Sequence, residues 1–485
     1  MGGITRLRSG REGFGTWVAG WCRFVVLLSI LAGCGGGGGE VGPGERLLVV
    51  RGGWLWDGTG TELVRNHGIV IRDSLLVSVE NEAGAIDLSA ASVIELSEDD
   101  YILPGLFDLH AHYATDFYGE GRTDDDVAYP ALFLANGVTN TYPAGEVNPE
   151  KMHDLRIRIE GGEQVGPRLF NSGPYFGTAR RGWNQEITAE EIRGEVDYWY
   201  SQGVRHFKAK GIQAHHLQAL IDAAHAHGAT LAGHLGSGYR NTVNPRDAIL
   251  MGIDRVEHFL GGDAMTPDRS AYASLAEMTP DMPEVRAIAR LYIEEGAYFD
   301  ATLTAYGYYG RRDPEVFTYF GAEMDFLTPE ARAVVEAGLP RQVNEQFEQI
   351  YWAKRALIKA FYDLGGGDLI TLGTDHPSWG EYFSPFSVHR ELHAMVLAGL
   401  PPAAALRTAT MNAARALNVG DRLGSVEAGK LADLVIVTGD PLDDIRNTRN
   451  VHTVIKAGEV FGSRELMDSV KGKLGGAGPE EGPGN

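Results

Sequence analysis

One repeating unit decides the predicted fold: VRHFKAKGIQAHHLQALIDAAHAHGATLAGHL, residues 204–235. Residues 204–210 predict a strand, 214–228 a helix with an apolar stripe and a closing glycine, and 229–235 the next strand. A strand, a helix and a second strand in about 30 residues make one βα unit of a parallel sheet or barrel. Another predicted strand, at 253–259, follows at a similar spacing, so the unit repeats.

The same alternation of short apolar runs and helical segments continues through most of the chain. It begins after residue 128 and includes predicted strands at 297–306 and 368–376. Residues 312–363 are largely helical and too long for a simple connection. We expect them to form an insertion over the active face of the predicted barrel. We therefore predict an α/β fold, a (β/α)8 TIM barrel, over residues 107–418.

Both ends of the mature chain differ in texture from the predicted barrel. Residues 46–106 alternate as β-strands do and have no helical period, and β-strands return over residues 419–465. We expect these two segments to pair as a β-sandwich that flanks the barrel. Residues 466–485 are rich in glycine and glutamate, which predicts a disordered tail.

The N-terminal segment predicts a leader and not a part of the fold. A basic start precedes an apolar run at 24–32, which is shorter than the roughly 20 residues that a membrane span needs. The run ends in LAGC, residues 31–34, and this resembles the lipobox of bacterial lipoproteins. The resemblance implies cleavage of the signal peptide, residues 1–34, before Cys34, which would carry lipid on its thiol. An ordinary secretory signal, or a start codon placed too early, is the alternative.

The leader also predicts the location of the protein. The glycine-rich residues 35–45 would form a flexible tether between the lipid and the first strand. The resemblance to lipoproteins therefore implies a bacterial cell-envelope protein outside the cytoplasm, on the periplasmic side or the cell surface. The membrane is expected as a partner only through this anchor.

Charge and cysteine content exclude several classes of protein. The formal net charge of -22 argues against a nucleic-acid binder, which needs a basic face to displace counterions. The only cysteines, Cys22 and Cys34, lie in the leader, so the mature domain has no disulfide and no catalytic cysteine. Any metal must therefore be held by histidine, carboxylates or a modified lysine.

Metal-ligating residue types occur at the ends of several predicted strands. In PGLFDLHAHY, two histidines one residue apart point to the same side of an extended chain. The carboxyl ends of barrel strands converge on one site, and imidazoles with a carboxylate suit Zn²⁺ or a similar ion. The candidates at strand ends are His110, His112, Lys208, His234, His258 and Asp375.

These motifs resemble the amidohydrolase superfamily over about residues 46–465. The resemblance rests on PGLFDLHAHY, HFKAKG, LAGHLG, RVEHFL, LGTDHP and a closing segment that runs from AGLPPAAALRTATMNAARAL to GSVEAGKLADLVIVTGDPLDDI. Within the superfamily the chain is similar to the imidazolonepropionase-related group, which includes bacterial Xaa-Pro dipeptidase-like enzymes. The segment GPYFGTARRGW departs from the Gly-Gly-His-type segment associated with peptide-cleaving relatives.

The resemblance implies a centre of two divalent ions. His110, His112 and Asp375 would bind the more buried ion, and His234 and His258 would bind the second. Zn²⁺ is the default ion, although Mn²⁺, Fe²⁺ and Co²⁺ suit the same ligands.

The resemblance also implies that Lys208 is carboxylated and bridges the two ions. An unmodified lysine is a cation that repels metal, whereas its carbamate supplies an anionic pair of oxygens. Lys210 is the competing lysine, because it points the same way in a strand.

The expected activity is metal-dependent hydrolysis of a C–N bond in a small substrate. An N-acyl amino acid, a dipeptide or a cyclic amide fits, with Asp375 as the group that accepts the proton of water. A lactone, carbamate or phosphoester hydrolase would use the same ligands, and a non-catalytic binding lipoprotein could keep the same fold. A homo-oligomer is also left open.

Loops after barrel strands are expected to contact the substrate. One such loop follows His234, and another follows the seventh predicted strand. A single further candidate directly follows Asp375, the last predicted ligand. Arginine in these loops suits a substrate carboxylate. The candidates are Tyr239, Arg240, Tyr306, Tyr308, Arg311 and His376.

Overall fold

The computed structural model describes residues 46–79, 89–117, 123–310, 313–317, 323–337, 344–376 and 383–475. The predicted leader with Cys34, the tether at 35–45 and Arg311 lie outside the described residues, as does the side chain of Tyr308. In the described segments, no helix has both the length and the apolar character needed to cross a bilayer.

The described chain begins with strands. They are β1 (Leu47–Leu55), β2 (Val64–Arg65), β3 (Ile69–Arg72), β4 (Leu75–Val79) and β5 (Ser92–Pro104). Apolar residues, many of them β-branched, fill these segments, which is the composition that suits a half-buried pleated surface. This confirms the predicted β texture for the described residues between 46 and 106.

Short strands alternate with helices through the central part of the chain. They are β6 (Leu106–Ala111), β7 (Ala114–Thr115), β8 (Thr123–Asp124), β9 (Val138–Pro143), β10 (Arg168–Leu169), β11 (Tyr175–Phe176), β12 (His206–Lys210), β13 (Thr230–His234), β14 (Arg255–Glu257), β15 (Tyr298–Asp300) and β16 (Ile370–Thr371). Strands β10, β9 and β6 form one parallel sheet, and β11 to β16 form a second in sequence order. The chain is thus a mixed α/β protein with parallel sheets, as predicted.

The two parallel sheets contact each other at both of their edges. At one edge the Leu109 N–H in β6 donates to the carbonyl oxygen of Leu372, just after β16, at 2.9 Å. At the other edge Glu146, just after β9, forms a parallel bridge with Pro174, just before β11. The carboxyl ends of these strands therefore lie around one region.

The two ends of the chain pair in one sheet. The last strands are β17 (Leu434–Thr438), β18 (Val451–Lys456) and β19 (Glu459–Gly462). Strand β17 pairs with β5, so the sheet runs in the order β19-β18-β17-β5-β1-β3-β4, with β2 beside β1. An apolar cluster that includes Val50, Ile71, Ile102 and Ile436 packs on this sheet. The predicted pairing of the two ends is thus present as one eight-stranded sheet, which we call the terminal sheet.

Helices lie between the strands from β8 onward and after the last strand. They are α1 (Ala128–Ala135), α2 (Pro149–Glu160), α3 (Ala189–Ser201), α4 (Ala214–Ala226), α5 (Pro245–Met251), α6 (Ala271–Leu275), α7 (Pro283–Glu295), α8 (Thr304–Gly310), α9 (Pro329–Glu336), α10 (Glu345–Phe361), α11 (Ser384–Leu397), α12 (Pro402–Thr408), α13 (Met411–Ala416) and α14 (Ser463–Val470).

Local signals set the bounds of several of these helices. Thr188 and Glu191 form a capping box that begins α3, because each side chain satisfies a backbone N–H of the other residue. Asn148 caps α2, and Pro149 occupies its first position. Beyond α4, Gly228 takes a φ of 68° and turns the chain into β13, as the sequence predicts.

Two predictions from the sequence are wrong in part. The predicted strand at 297–306 ends at Asp300, and residues 304–310 form α8, so Tyr306 lies on a helix. The predicted disordered tail begins too early, because α14 extends to Val470 and Leu474 is fully buried. Apolar residues at helical spacing in this short segment find a packing partner that composition alone does not reveal.

Candidate active site

The two histidines of the LHAH motif lie against Asp375. His110 is in β6 and His112 just after it, while Asp375 follows β16, the strand next to β6. The Nε2 atoms of His110 and His112 lie 3.2 Å and 2.8 Å from the Oδ1 atom of Asp375. One ligand atom from each residue can therefore surround a single small volume.

The other two histidines extend this cluster sideways. His258 Nε2 lies 3.6 Å from Oδ2 of Asp375, and the His258 ring centroid is 4.9 Å from that of His110. His234, at the end of β13, has its ring centroid 4.3 Å from that of His258. The structure thus places His110, His112, His258 and His234 in one continuous cluster with Asp375.

Strained backbone positions His258 and Asp375. His258 has a φ of 69° and Asp375 a φ of 41°, in the left-handed region that residues with a side chain rarely adopt. Because φ is positive at His258, strict strand alternation breaks, and Glu257 and His258 can both face His110. Such strain persists only where the surroundings fix it, and it is typical of functional sites.

Lys208 lies deeper than the histidines and forms a buried ion pair. Its side chain is 1% exposed, and its Nζ contacts the carboxylate of Glu257, which is fully buried. Lys210 lies on the same side of β12, two residues closer to the open end, and is only partly buried. The two lysines that the sequence leaves in competition therefore occupy different environments.

Three buried charged residues near the cluster are absent from the sequence prediction. They are Arg255, Glu257 and Asp300, on β14 and β15. Both Glu257 and Asp300 lie 3.6 Å from Nδ1 of His110. The motif RVEHF held a signal for two of them, because charged residues inside a predicted core strand are rarely buried unless paired.

Burial favours the neutral form of three histidines of the cluster. Loss of water lowers the pKa of His110, His234 and His258 well below that of a free imidazole. Burial also lowers the pKa of Lys208 well below its usual range. For Asp375, burial favours the neutral acid, but His110 and His112 outweigh it and hold the pKa of this carboxyl well below its usual range.

The donor set fits a metal centre. Within the described residues, Nε2 of His258, Nδ1 of His110 and both carboxylate oxygens of Asp300 are buried without a hydrogen-bond partner. His258 Nδ1 lies 2.7 Å from Oγ1 of Thr302, whose hydroxyl donates to a carbonyl, so Nδ1 carries the proton and Nε2 keeps its lone pair. Neutral imidazoles with a carboxylate are the ligands that Zn²⁺ and similar ions prefer.

A lysine from the predicted insertion supports this arrangement. Lys354 on α10 is 2% exposed, and its Nζ donates to the carbonyl oxygen of His258 at 3.0 Å and to Oγ1 of Thr302 at 3.3 Å. The same Nζ lies 4.2 Å from the ring centroid of Tyr306. Burial lowers the pKa of Lys354 to about 7. Lys354 thus holds both the strained peptide at His258 and the partner of its ring.

A carboxylate on α11 fixes the loop that follows β15. Glu391 is fully buried and accepts hydrogen bonds from the N–H groups of Leu303 and Thr304, each at 2.7 Å. Burial raises the pKa of Glu391 to about 7. The loop contains Thr302, so this anchor also helps to place the hydroxyl group that orients His258.

The predicted substrate-contacting residues divide into groups. Tyr239 and Arg240 line a cavity beside His234, as expected for the loop after β13. Tyr306 is buried, and its ring stacks on Phe347 of α10 with a centroid distance of 5.3 Å. His376 is fully buried, and its carbonyl accepts a hydrogen bond from Ser384. Tyr308 and Arg311 stay predictions.

One family model matches part of the chain. Residues 346–461, which extend from α10 to the terminal sheet, match the amidohydrolase family. This range contains Asp375 and the closing segment on which the sequence resemblance rests.

Known proteins resemble the chain over a longer range. The ochratoxinase of Aspergillus niger is 24% identical over 462 residues, which cover 86% of this chain and 87% of the relative. An imidazolonepropionase from Aromatoleum aromaticum is 68% identical over 41 residues, 8% of this chain and 10% of its own. The crystal structure of a Xaa-Pro dipeptidase with bound methionine superimposes with a TM-score of 0.63 and 22% identity. It covers 86% of this chain and 100% of its own, so the likeness in fold extends over most of the chain.

These comparisons agree with the geometry of the cluster. They support an amidohydrolase, a metal-dependent enzyme that hydrolyses carbon–nitrogen bonds. Of the ligand-type residues, Asp375 lies in the segment that the family model matches.

Proposed function

We propose that this protein hydrolyses the amide bond of a small substrate such as an N-acyl amino acid or a dipeptide, using a binuclear metal centre. The observation that carries the proposal is the convergence of His110, His112, His258 and Asp375, whose ligand atoms approach one another within hydrogen-bond to ion-pair distances. His234 and Lys208 adjoin this group from β13 and β12.

The proposal includes the finer features that the sequence predicts. The parallel strands would close into a (β/α)8 barrel flanked by a β-sandwich, and the two edge contacts between the parallel sheets support the closure. The 41-residue match to an imidazolonepropionase supports a place in that group. A lipid anchor at Cys34, outside the cytoplasm, is part of the proposal and rests on the LAGC motif alone.

His110, His112 and Asp375 would hold one ion, and His234 and His258 a second, with zinc as the expected metal. Lys208 would bridge the two ions as a carbamate, for which its contact with Glu257 would have to open. Bound divalent ions supply Lewis acidity, which activates water and polarises a carbonyl group.

In the proposed reaction, a side chain of the protein transfers a proton from water to the leaving group. Asp375 would accept a proton from water at a carboxylate oxygen and pass it to the leaving nitrogen. Its position between His112 and His258 keeps the carboxylate at the centre of the cluster through the transfer. Thr302 and Lys354 would hold the ring of His258 and its peptide in place.

The proposal is tested by counting metal ions in protein purified without chelator. About two equivalents per chain are expected, falling toward one in Lys208→Ala, because that variant lacks the ligand proposed to bridge the two ions. Lys210→Ala is the matched control and should keep both ions. Equal loss in the two variants would remove Lys208 as the bridge.

The activity is tested with the same metal-loaded protein. A panel of N-acyl amino acids and dipeptides should contain at least one substrate, and turnover should disappear on chelation and return with Zn²⁺. Absence of bound metal after Zn²⁺ is supplied would overturn the proposed function.

A further inference from the structure

The last described residues of the chain pack on the predicted insertion. Helix α14 ends at Val470, and residues 472–475 follow it; we call them the C-terminal strap. The strap forms neither a helix nor a regular strand, yet Leu474 within it is fully buried. Residues near a chain end are usually poorly ordered unless specific contacts tie them down. The contacts of the strap therefore need an account.

Backbone hydrogen bonds pair the strap with the insertion. The Leu474 N–H donates to the carbonyl oxygen of Phe326 at 2.8 Å, and the Leu474 carbonyl oxygen accepts from the Thr328 N–H at 2.9 Å. Leu474 thus forms a parallel bridge with Leu327, and both side chains are buried. The strap adds a short extended segment alongside residues 326–328.

The end of the strap is tied to the hairpin that follows His112. The Gly475 N–H donates to the carboxylate of Asp125, which also accepts from the N–H of Ala128 at 2.7 Å, at the start of α1. The backbone N–H of Asp125 donates to the carbonyl oxygen of Tyr113 at 2.6 Å. Tyr113 directly follows His112, so one aspartate joins the strap to the segment that carries a proposed metal ligand.

Gly475 lies where a side chain has no room. Its φ is 79°, in the left-handed region that favours glycine. A Cβ atom at this position would lie 2.6 Å from the ring of Phe117, just after β7, and 2.9 Å from the Cβ atom of Ala331 on α9. The strap is therefore in close contact with both the hairpin and the insertion.

The segment that pairs with the strap also packs on α11. The ring centroids of Phe326 and Phe386 lie 5.4 Å apart. Glu323 is fully buried, pairs with Arg390 of α11, and accepts a hydrogen bond from the N–H of Phe383 at 3.0 Å. Separating a buried ion pair leaves charge without compensation, so this pair holds the segment against α11.

Helix α11 continues the contacts to the ligand cluster. Glu391, next to Arg390, anchors the loop that follows β15. That loop contains Thr302, whose hydroxyl group lies 2.7 Å from the ring nitrogen Nδ1 of His258. The strap is thus connected to the cluster on two sides, through the hairpin at His112 and through α11 at His258.

We propose that the C-terminal strap joins the hairpin after His112 to the insertion and thereby positions two proposed metal ligands, His112 and His258, from a distance. Its residues are positioning residues, which contact neither the metal nor the substrate. Only the expected effect on metal affinity rests on the proposed function. The expected effect on the order of the loop after β15 does not depend on it.

The first test shortens the chain at two points. A variant that ends at Lys471 lacks the strap, whereas a variant that ends at Gly475 keeps it and is the matched control. Competition with a chelator measures the affinity for Zn²⁺. It should fall about 10- to 100-fold without the strap, as is usual when the support of a ligand is lost, and it should stay as in the wild type in the control. Unchanged affinity without the strap, or an equal loss in both variants, would overturn the inference.

Hydrogen exchange separates positioning from a loss of overall stability. Without the strap, exchange should rise about 10-fold or more at the N–H groups of Leu303, Thr304 and Thr328, while Ile436 in the terminal sheet keeps its rate. A uniform rise at all four groups would show general destabilisation and would contradict the proposal. Because this measurement needs neither metal nor substrate, it tests the strap even where the proposed function fails.

A pair of point variants covers the case in which the shortened chain does not fold. Leu474→Ser removes the buried apolar side chain, whereas Leu474→Met keeps an apolar side chain of similar volume. Zinc affinity and exchange at Leu303 should follow the shortened chain in Leu474→Ser and the wild type in Leu474→Met. Equal behaviour of the two variants would count against the strap.

Discussion

Charged side chains lie at the surface of the terminal sheet but in the interior of the site between the parallel strands. In the terminal sheet the interior is apolar, with Ile71, Ile102 and Ile436 fully buried, and an ion pair such as Arg51 with Glu95 stays at the surface. Between the parallel strands, charged groups such as Lys208 and Glu257 are fully buried.

This difference means that the two regions contribute differently to the free energy of folding. Burying charged groups costs several kcal/mol for each ion unless partners compensate. The terminal sheet avoids that cost, so its stability comes from area removed from water. In the central cluster, buried charged groups and the positive φ angles at His258 and Asp375 both lower the stability of the fold. Substitutions in the cluster should therefore change mainly kcat and metal binding, whereas substitutions in the terminal sheet should change mainly the free energy of unfolding.

Asp375→Asn should have the largest effect. The variant keeps the size of the side chain but loses the carboxylate that two histidines contact, so kcat should fall about 10³-fold or more. Steady-state kinetics and metal content should be measured together. Asp363→Asn, on an exposed carboxylate paired with Lys359, is the control. Undiminished turnover in metal-loaded Asp375→Asn would exclude Asp375 as the proton acceptor.

Ile436→Ala tests the terminal sheet. Ile436 is fully buried between β18 and β5, and removing its side chain should lower the free energy of unfolding by about 2–5 kcal/mol. Urea unfolding measures this loss. The metal content and the kcat of the folded enzyme should stay as in the wild type, because Ile436 pairs and packs within the terminal sheet. A selective loss of metal would show that the two regions are coupled.

Lys354→Met should have a smaller effect on the cluster. The apolar side chain keeps most of the packing but loses the hydrogen bonds to the carbonyl of His258 and to Thr302. Metal affinity or kcat should fall about 10- to 100-fold, as is usual for residues that orient a ligand. Competition with a chelator measures the affinity. Lys359→Met, on the exposed side of the same helix, should leave it unchanged; equal effects in the two variants would point to helix stability instead.

Arg51→Met should have the smallest effect. The guanidinium pairs with Glu95 on the exposed face of the terminal sheet, where water and salt screen the attraction. The free energy of unfolding should fall by about 0.2–1 kcal/mol, and the difference should shrink in high salt. A loss as large as that in Ile436→Ala would mean that the surface of the sheet contributes more than its exposure suggests.

Much of the fold follows from local pattern. The strand-helix-strand unit at 204–235 gives β12, α4 and β13 nearly as predicted, because both periods are strong and Gly228 marks the boundary. The segment at 297–306 was harder, because a short apolar run does not distinguish a strand from a helix. There a three-residue strand gives way to a helix that packs on α10.

The candidate site was predictable where its residues lie at strand ends in recognisable motifs. His110, His112, His258 and Asp375 come together as expected, since adjacent strands bring their carboxyl ends to one place. The sequence does not predict Glu257 and Asp300 as site residues, because it does not show which distant residues a charged side chain in an apolar run will contact. Lys354 was missed for a similar reason, since its partner is a backbone carbonyl 96 residues away along the chain.

The sequence by itself determined the order of elements, the ligand types and the face of the strands that carries them. These follow from periodicity and from the alternation of side chains along a strand. Only the tertiary structure decided that Lys208 is buried against Glu257, whereas Lys210 opens into a cavity with Arg240. Both lysines lie on β12, two residues apart, and point in the same direction from the strand. Their depth, and with it their chemistry, is set by strands and loops that are distant along the chain.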